Sequence, residues 1–250
     1  MDVGSLWTWH SGTAPPQRAQ PAGGATDITA RVLGEQLSKR LGQPFVVDNR
    51  GGAGGITGTD AVAKAEPDGH TLLVSLSTSM LINQYLYTKM PYNPMTDLAL
   101  ISQLATAPVV LAVHPSVPAK TGPELLAFTS ALSAKPHADA GKLRLVGATG
   151  DTRMGVLPNL PTLAEQGLKD DAYRIVGFVG LGGPAKLPPA LIERISTEVQ
   201  AVMALPEVRE RIVSMGFTPV GGTPAQFAAV YKRDAPIWEK LVRQSGAKAD

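Results

Sequence analysis

The sequence predicts an α/β fold built on a parallel sheet. Three observations carry this. An amphipathic helical stretch over residues 28–41 runs into a short apolar strand at 44–48. A glycine-rich turn and a second helix then lead to another apolar strand at 71–76. Strands that alternate with helices in this way lie parallel and are covered by those helices.

Each element has a local reason. Residues 1–20, "MDVGSLWTWHSGTAPPQRAQ", carry an acid at position 2 and no apolar core of signal-peptide length. They predict an irregular, loosely attached segment and inefficient export of the chain as written. From Ile28 the apolar residues Ile28, Val32, Leu33, Leu37 and Leu41 share one helix face, and Gly42 ends the helix. "PFVVD" reads as a buried strand, "NRGGAGGITG" (49–58) as a glycine loop and "TDAVAKA" as the next helix. The turn "EPDGH" opens the strand "TLLVSL", and "STSMLINQYLY" follows as polar loop, then helix. "LALISQL" (98–104) and "VVLAVHP" (109–115) read as strands.

Thr121-Gly-Pro-Glu124 has capping-box form and predicts the helix "ELLAFTSAL", with "AKPHADAG" a loop behind it. "KLRLVGATG" reads as strand and turn, Thr162 to Glu165 as a second capping box, and "YRIVGFVGLGGP" as a strand into a glycine turn. Ile192, Ile195, Val199, Val202 and Met203 make one apolar stripe. Thr223 to Gln226 is a third capping box. Its helix turns Phe227, Val230, Tyr231, Trp238 and Leu241 inward, and Pro236 is expected to kink or interrupt it.

Composition removes several classes of function. A chain of 250 residues can bury a real core, as one large domain or two small lobes. The net charge of +2 comes without a basic run, which argues against nucleic acid as a partner. No apolar run nears the ~20 residues of a membrane span. The absence of cysteine excludes disulfides, thiolate metal sites and cysteine nucleophiles.

Catalytic and metal-binding constellations are not expected. His10, His70, His114 and His137 are scattered, without a second histidine or carboxylate at ligand spacing. No serine sits in a G-x-S-x-G elbow. In the glycine loop Gly52 and Gly54 fit a dinucleotide fingerprint, but Thr57 stands where its last glycine belongs, and no Walker lysine follows. A nucleotide-dependent enzyme using Gly51 to Gly58 is therefore the weakest reading. A tight strand-to-helix turn is the simpler one.

"PAGGATD" (21–27) offers more. Gly23 and Gly24 allow close backbone approach, and the N–H groups from Ala25 to Ile28 are first-turn donors at the positive end of a helix. Asp27 is awkward beside an anion. It would cap the helix, accept from a ligand ammonium or accept from a bridging water. "SLSTS" (75–79) brings hydroxyls to the end of a strand, where ligands of open α/β sheets sit.

The ordered run "PAGGATDITARVLGEQLSKRLGQPFVVDNRGGAGGITGTDAVAKAEPDGHTLLV" resembles the first lobe of the Bug, or TctC-type, solute-binding receptors of tripartite tricarboxylate transporters. The resemblance continues through "YNPMTDLALISQLATAPVVLAVHPSVPAKT", "AGKLRLVGATG", "LPNLPTLAEQGL" and the stretch from "LPPALIERI" onward, about residues 21 to 250. It implies a two-lobed periplasmic-binding-protein-like fold of type II that closes on a small di- or tricarboxylate, amino acid or aromatic acid. It implies a periplasmic monomer, without cofactor, metal or catalysis, that serves membrane transporter subunits.

Gly23, Gly24, Ala25, Thr26 and Asp27 match the family's first binding loop, and Ser77 and Thr78 match cleft positions. Lobe 1 is expected over 21–106 and 222–250 and lobe 2 over 107–221. Two departures stand out. "SGTAPPQRAQ" replaces the family's apolar first strand. "SAKPHADAGKLRLV" joins flanks that the family separates by a long segment holding half the carboxylate site. The second lobe is therefore expected to be reduced. A sensory protein of the same lineage and a degenerate, non-binding remnant remain as alternatives.

Overall fold

The computed structural model describes residues 7–12, 24–114 and 128–249. The capping box at 121–124 and the first half of its expected helix lie outside them. The chain divides into two compact units. Unit 1 holds residues 1–104, 179–208 and 220–250, and unit 2 holds 105–178 and 209–219. Unit 1 thus includes the segment 179–208, which the sequence reading assigns to the second lobe. Its strand pairs directly with a strand of unit 1, and its helix packs against another helix there.

Unit 1 begins with β1 (Trp7–Gly12), a strand inside the stretch expected to be irregular. It lies between β2 (Phe45–Asn49) and β3 (Thr71–Leu76) and runs parallel to both, with Ser11 opposite Asn49 and Gly12 opposite Ser75. Backbone pairing on both sides holds this strand, and its mixed composition hides that from a periodicity reading. β4 (Leu98–Ala107), β8 (Gly177–Pro184) and the two-residue β9 (Thr218–Pro219), which falls in unit 2, complete the sheet order β2-β1-β3-β8-β4-β9. β8 is antiparallel to β3, and β9 to β4, so the sheet is mixed where a mostly parallel one was expected.

Helix α1 (Ala25–Leu41) packs on β2 and β1. It ends at Gly42, whose φ of 67° is left-handed and whose N–H donates to the Ser38 carbonyl. Its buried residues include Thr26, Asp27, Thr29, Ala30, Leu33, Gly34 and Leu37, a face rotated from the expected stripe. Small residues face the sheet because a Cβ on Gly34 would already stand 3.3 Å from that of Phe45. α2 (Ile56–Ala63) and α3 (Asn83–Leu86) follow the neighbouring strands.

α6 (Pro189–Met203) buries Ile195, Val199, Val202 and Met203. α8 (Pro224–Ser245) starts with both halves of the expected capping box, between Thr223 and Gln226. Phe227 and Tyr231 are buried, whereas Val230, Trp238 and Leu241 are half-buried. The helix passes through Pro236 unbroken. Pro236 and Lys232, whose carbonyl the ring would displace, both lie on exposed residues, so water can take up the freed acceptor. Phe227 reaches the sheet at Gly180, where an added Cβ would stand 2.5 Å from its Cζ.

Unit 2 is a three-stranded antiparallel sheet, β6 (Phe128–Ser130), β5 (Val109–Val113) and β7 (Arg144–Ala148), with β5 central. Helix α4 (Ala131–Asp139) occupies the stretch expected to be a loop, and β6 takes part of the expected helix. The Ser130 hydroxyl accepts the Ser133 N–H and caps α4, and Lys135 pairs with Asp139 one turn on. Ala131 and Ala134 pack with Val110, Ala148 and Met154, while Leu111, Val113, Val146 and Leu163 form a second cluster.

The outer edge of β7 is closed by residues 161–166. Leu163 N–H donates to the Ala148 carbonyl, and the Gln166 amide donates to the Val146 carbonyl. Thr162 and Glu165 make both capping-box bonds, though no helix follows them. Arg153 pairs with Glu165 and, with the Thr162 N–H, holds its carboxyl below the usual carboxylate range. Two short helices, α5 (Asp171–Arg174) and α7 (Pro206–Ser214), complete the fold. Among the described residues no helix is long and apolar enough to cross a membrane.

Candidate ligand-binding site

The parallel strands β2, β1 and β3 end along one edge of unit 1, and three loops start there. The first opens α1. Gly24 is its N-cap with φ −68° and ψ 161°, ordinary extended geometry, so close approach and not a left-handed turn is what glycine allows there. Gly24 has no side chain to accept from the first turn, and its carbonyl accepts the Ile28 N–H at 2.9 Å. Thr26 and Asp27 are buried. Gly23 lies outside the described residues, as does the side chain of Ala25.

Asp27 is compensated. Its Oδ1 accepts from Asn49 Nδ2 at 2.9 Å and from Arg31 Nε at 2.9 Å. Asn49 is the last residue of β2, so this bond fixes the start of α1 at the C-terminal end of the sheet. The repulsion that Asp27 would exert on an anion is thereby reduced. Sequence reasoning missed Asn49. It lies next to the glycine loop and shows no spacing to Asp27.

The second loop is the glycine turn. Ala53, Gly54 and Gly55 form a 3-10 turn, with φ of 44°, 66° and 86°. Asn83 Nδ2 donates to the Gly54 carbonyl at 3.0 Å. A Cβ at Gly54 would stand 3.1 Å from that nitrogen and 3.2 Å from the Tyr87 hydroxyl. Buried and pinned in this way, Gly54 serves the tight strand-to-helix turn that the sequence suggested as the simpler reading.

The third loop follows β3. Thr78–Ile82 is one turn of π-helix, a geometry that recurs at functional sites. Ser77 is its N-cap and is buried, and Thr78 is half-buried. Ser75 and Ser79 are turned inward, with their hydroxyls 2.6 Å apart. Two tyrosines brace the turn. Tyr92 donates to the Ser79 carbonyl at 2.6 Å, and Tyr231 on α8 donates to the Met80 carbonyl at 2.7 Å. Burial pushes both phenols well above their ordinary range, so they are neutral donors at any physiological pH.

The edge offers backbone donors, a helix start and hydroxyls. Among the described residues no group of acids or histidines could hold a metal. Ligands of open α/β sheets sit at such an edge, and solved structures of periplasmic binding proteins share the fold. One described as a periplasmic transporter matches with a TM-score of 0.81 at 26% identity, covering 99% of both chains. A Rhodopseudomonas palustris protein named MatC, solved with bound malate, matches at 0.79 and 22%, covering 96% of this chain and 99% of its own. An R. palustris protein solved with adipate matches at 0.82 and 23%, covering 98% and 99%.

The chain belongs to the tripartite tricarboxylate transporter family of receptors, whose TctC profile matches residues 29–135 and 126–246. These are solute-binding receptors and not enzymes. The relatives include BugT of Bordetella pertussis, 29% identical over 287 residues (91% of this chain, 87% of BugT). They also include the UPF0065 protein in the tcbD-tcbE intergenic region of a Pseudomonas species, 29% identical over 281 residues (89% and 83%). Both alignments are longer than the 250-residue chain, so these relatives carry residues that it lacks. The family profile uses residues 126–135 twice, once at the end of each match. This overlap includes β6 and the start of α4.

Proposed function

We propose that this chain is an extracytoplasmic receptor for a small carboxylate, which it delivers to the membrane subunits of a tripartite transporter. The observation that carries the reading is the first turn of α1. It is capped by a glycine, fixed to β2 through Asp27 and Asn49, and carries backbone donors at a positive helix end. Gly23, Gly24, Ala25, Thr26 and Asp27 would line the ligand on this side, with Ser77 and Thr78 on the β3 side. Family membership supports a receptor, and the adipate and malate of the two R. palustris neighbours support a carboxylate as the class. The chain would work as a monomer in the periplasm.

Calorimetric titration of the purified chain with succinate, malate, adipate and citrate tests this. Saturable binding of at least one acid is expected, and no binding up to the solubility limit overturns the reading. One observation favours a second reading. The residues that the chain lacks relative to its family make a non-binding remnant the reading left standing if every titration is flat.

A further inference from the structure

We propose that Asn83 is a positioning residue for ligand binding: it locks the π-turn after β3, and with it the candidate contacts Ser77 and Thr78, to the glycine turn after β2. The inference rests on the carboxylate reading above. In an α-helix the Asn83 N–H would donate to the Ser79 carbonyl, four residues back. Here it donates to the Thr78 carbonyl, five residues back, and closes the π-turn. The Ser79 carbonyl so released accepts from the Tyr92 hydroxyl at 2.6 Å. A π-turn is much rarer than the α-turn it displaces, so its winding needs a hold from outside.

The Asn83 side chain supplies that hold. It is 1% exposed, and its Nδ2 donates to the Gly54 carbonyl at 3.0 Å. A Cβ added at Gly54 would stand 3.1 Å from Nδ2 and 3.6 Å from Oδ1, so amide and turn are in direct contact. Gly54 and Gly55 are themselves buried, which makes the glycine turn a fixed point. Rewinding the π-turn to α geometry would rotate Asn83 and pull its amide from Gly54, leaving a buried carbonyl without its donor. Asparagine suits the role. A carboxylate there would face a carbonyl oxygen, and a leucine would have nothing to donate.

Ser77 precedes the π-turn and Thr78 is its first residue. Their direction at the ligand edge follows from the winding of the turn. With Asn83 in place that winding is set at folding and not at binding, which is preorganisation of the β3 side of the site.

Asn83→Ala removes the amide and leaves the Gly54 carbonyl to a bridging water, so the chain is expected to fold with a lowered melting temperature. Calorimetric titration well below that temperature uses whichever of succinate, malate, adipate and citrate the wild type binds. Affinity should fall roughly three- to tenfold, the scale of ordering one element at binding. Gly54→Ala disturbs the same contact from the opposite side and should weaken the acid as well. Both substitutions break one lock, so the double variant should bind about as weakly as the weaker single one.

A residue that only supports the fold lowers the melting temperature and leaves the affinity of the folded chain unchanged, and that result overturns the proposal. Losses that multiply in the double variant overturn it too, because they give the two residues separate roles. Should Asn83→Ala not fold, Gly54→Ala decides alone, and an unchanged affinity overturns the proposal. Each of these outcomes leaves the carboxylate reading intact. If the wild type binds none of the four acids, the carboxylate reading fails and the proposal with it.

Discussion

At the scale of single residues, the binding edge mixes positions that tolerate a side chain with positions that do not. Gly24 has extended geometry that Val can adopt, so Gly24→Val should fold, at a cost of about 1 kcal/mol for the poorer N-cap, and obstruct the ligand. Carboxylate affinity should drop by roughly ten- to a hundredfold, the loss of one charge-assisted bond, as titration beside a thermal melt would show. Gly54 behaves oppositely. Its φ of 66° and its contacts with Asn83 and Tyr87 mean that Gly54→Ala should cost about 1–2 kcal/mol in denaturant unfolding. Ala53, at φ 44°, holds the same left-handed region with a side chain, so Ala53→Gly should gain up to about 1 kcal/mol. The glycines of this edge were legible in the sequence, but their roles were not. Distinguishing a close approach from a left-handed turn depends on backbone angles that the letters do not encode. The partner of Asp27 was hidden for a related reason, since a contact across 22 residues leaves no local spacing.

At the scale of elements, the π-turn after β3 depends on two tyrosines from distant parts of the chain. Tyr92→Phe and Tyr231→Phe should each cost about 1–3 kcal/mol at neutral pH, because a buried carbonyl loses its donor. Both phenols hold their proton more tightly folded than unfolded. Their contribution is therefore complete below the unfolded value near 10 and declines as pH rises through it toward the higher folded values. A steep fall of the melting temperature above pH 10, made shallower by either substitution, would bear this out. The strands and helices of unit 1 after residue 28 could be read from their periodicity and the turn residues that bound them, although the buried face of α1 is rotated from its apolar stripe. α4 could not. Its core contacts are small alanines, its cap is a single serine, and Pro136 within it argues locally for a loop. β1 was missed because its place between two parallel strands is a long-range fact.

At the scale of the molecule, the sequence predicts that the stretch missing relative to the family belongs to the second lobe, and unit 2 is a three-stranded sheet with two modest apolar clusters. With half of the family's carboxylate contacts expected there, affinity should be weaker than about 100 µM, and a submicromolar value would show that the contacts have been rebuilt elsewhere. Unit 1 has its own peculiarity. Its parts come from three separate lengths of chain, and Phe227 and Tyr231, which seat against Gly180 and the Met80 carbonyl, lie in the third. During synthesis the N-terminal strands emerge first, but the helix that closes their apolar face is made well over a hundred residues later. A nascent chain stalled near residue 220 would thus hold a finished β2-β1-β3 core with its Phe227 socket still empty. Such a chain offers chaperones an apolar target until α8 has been made.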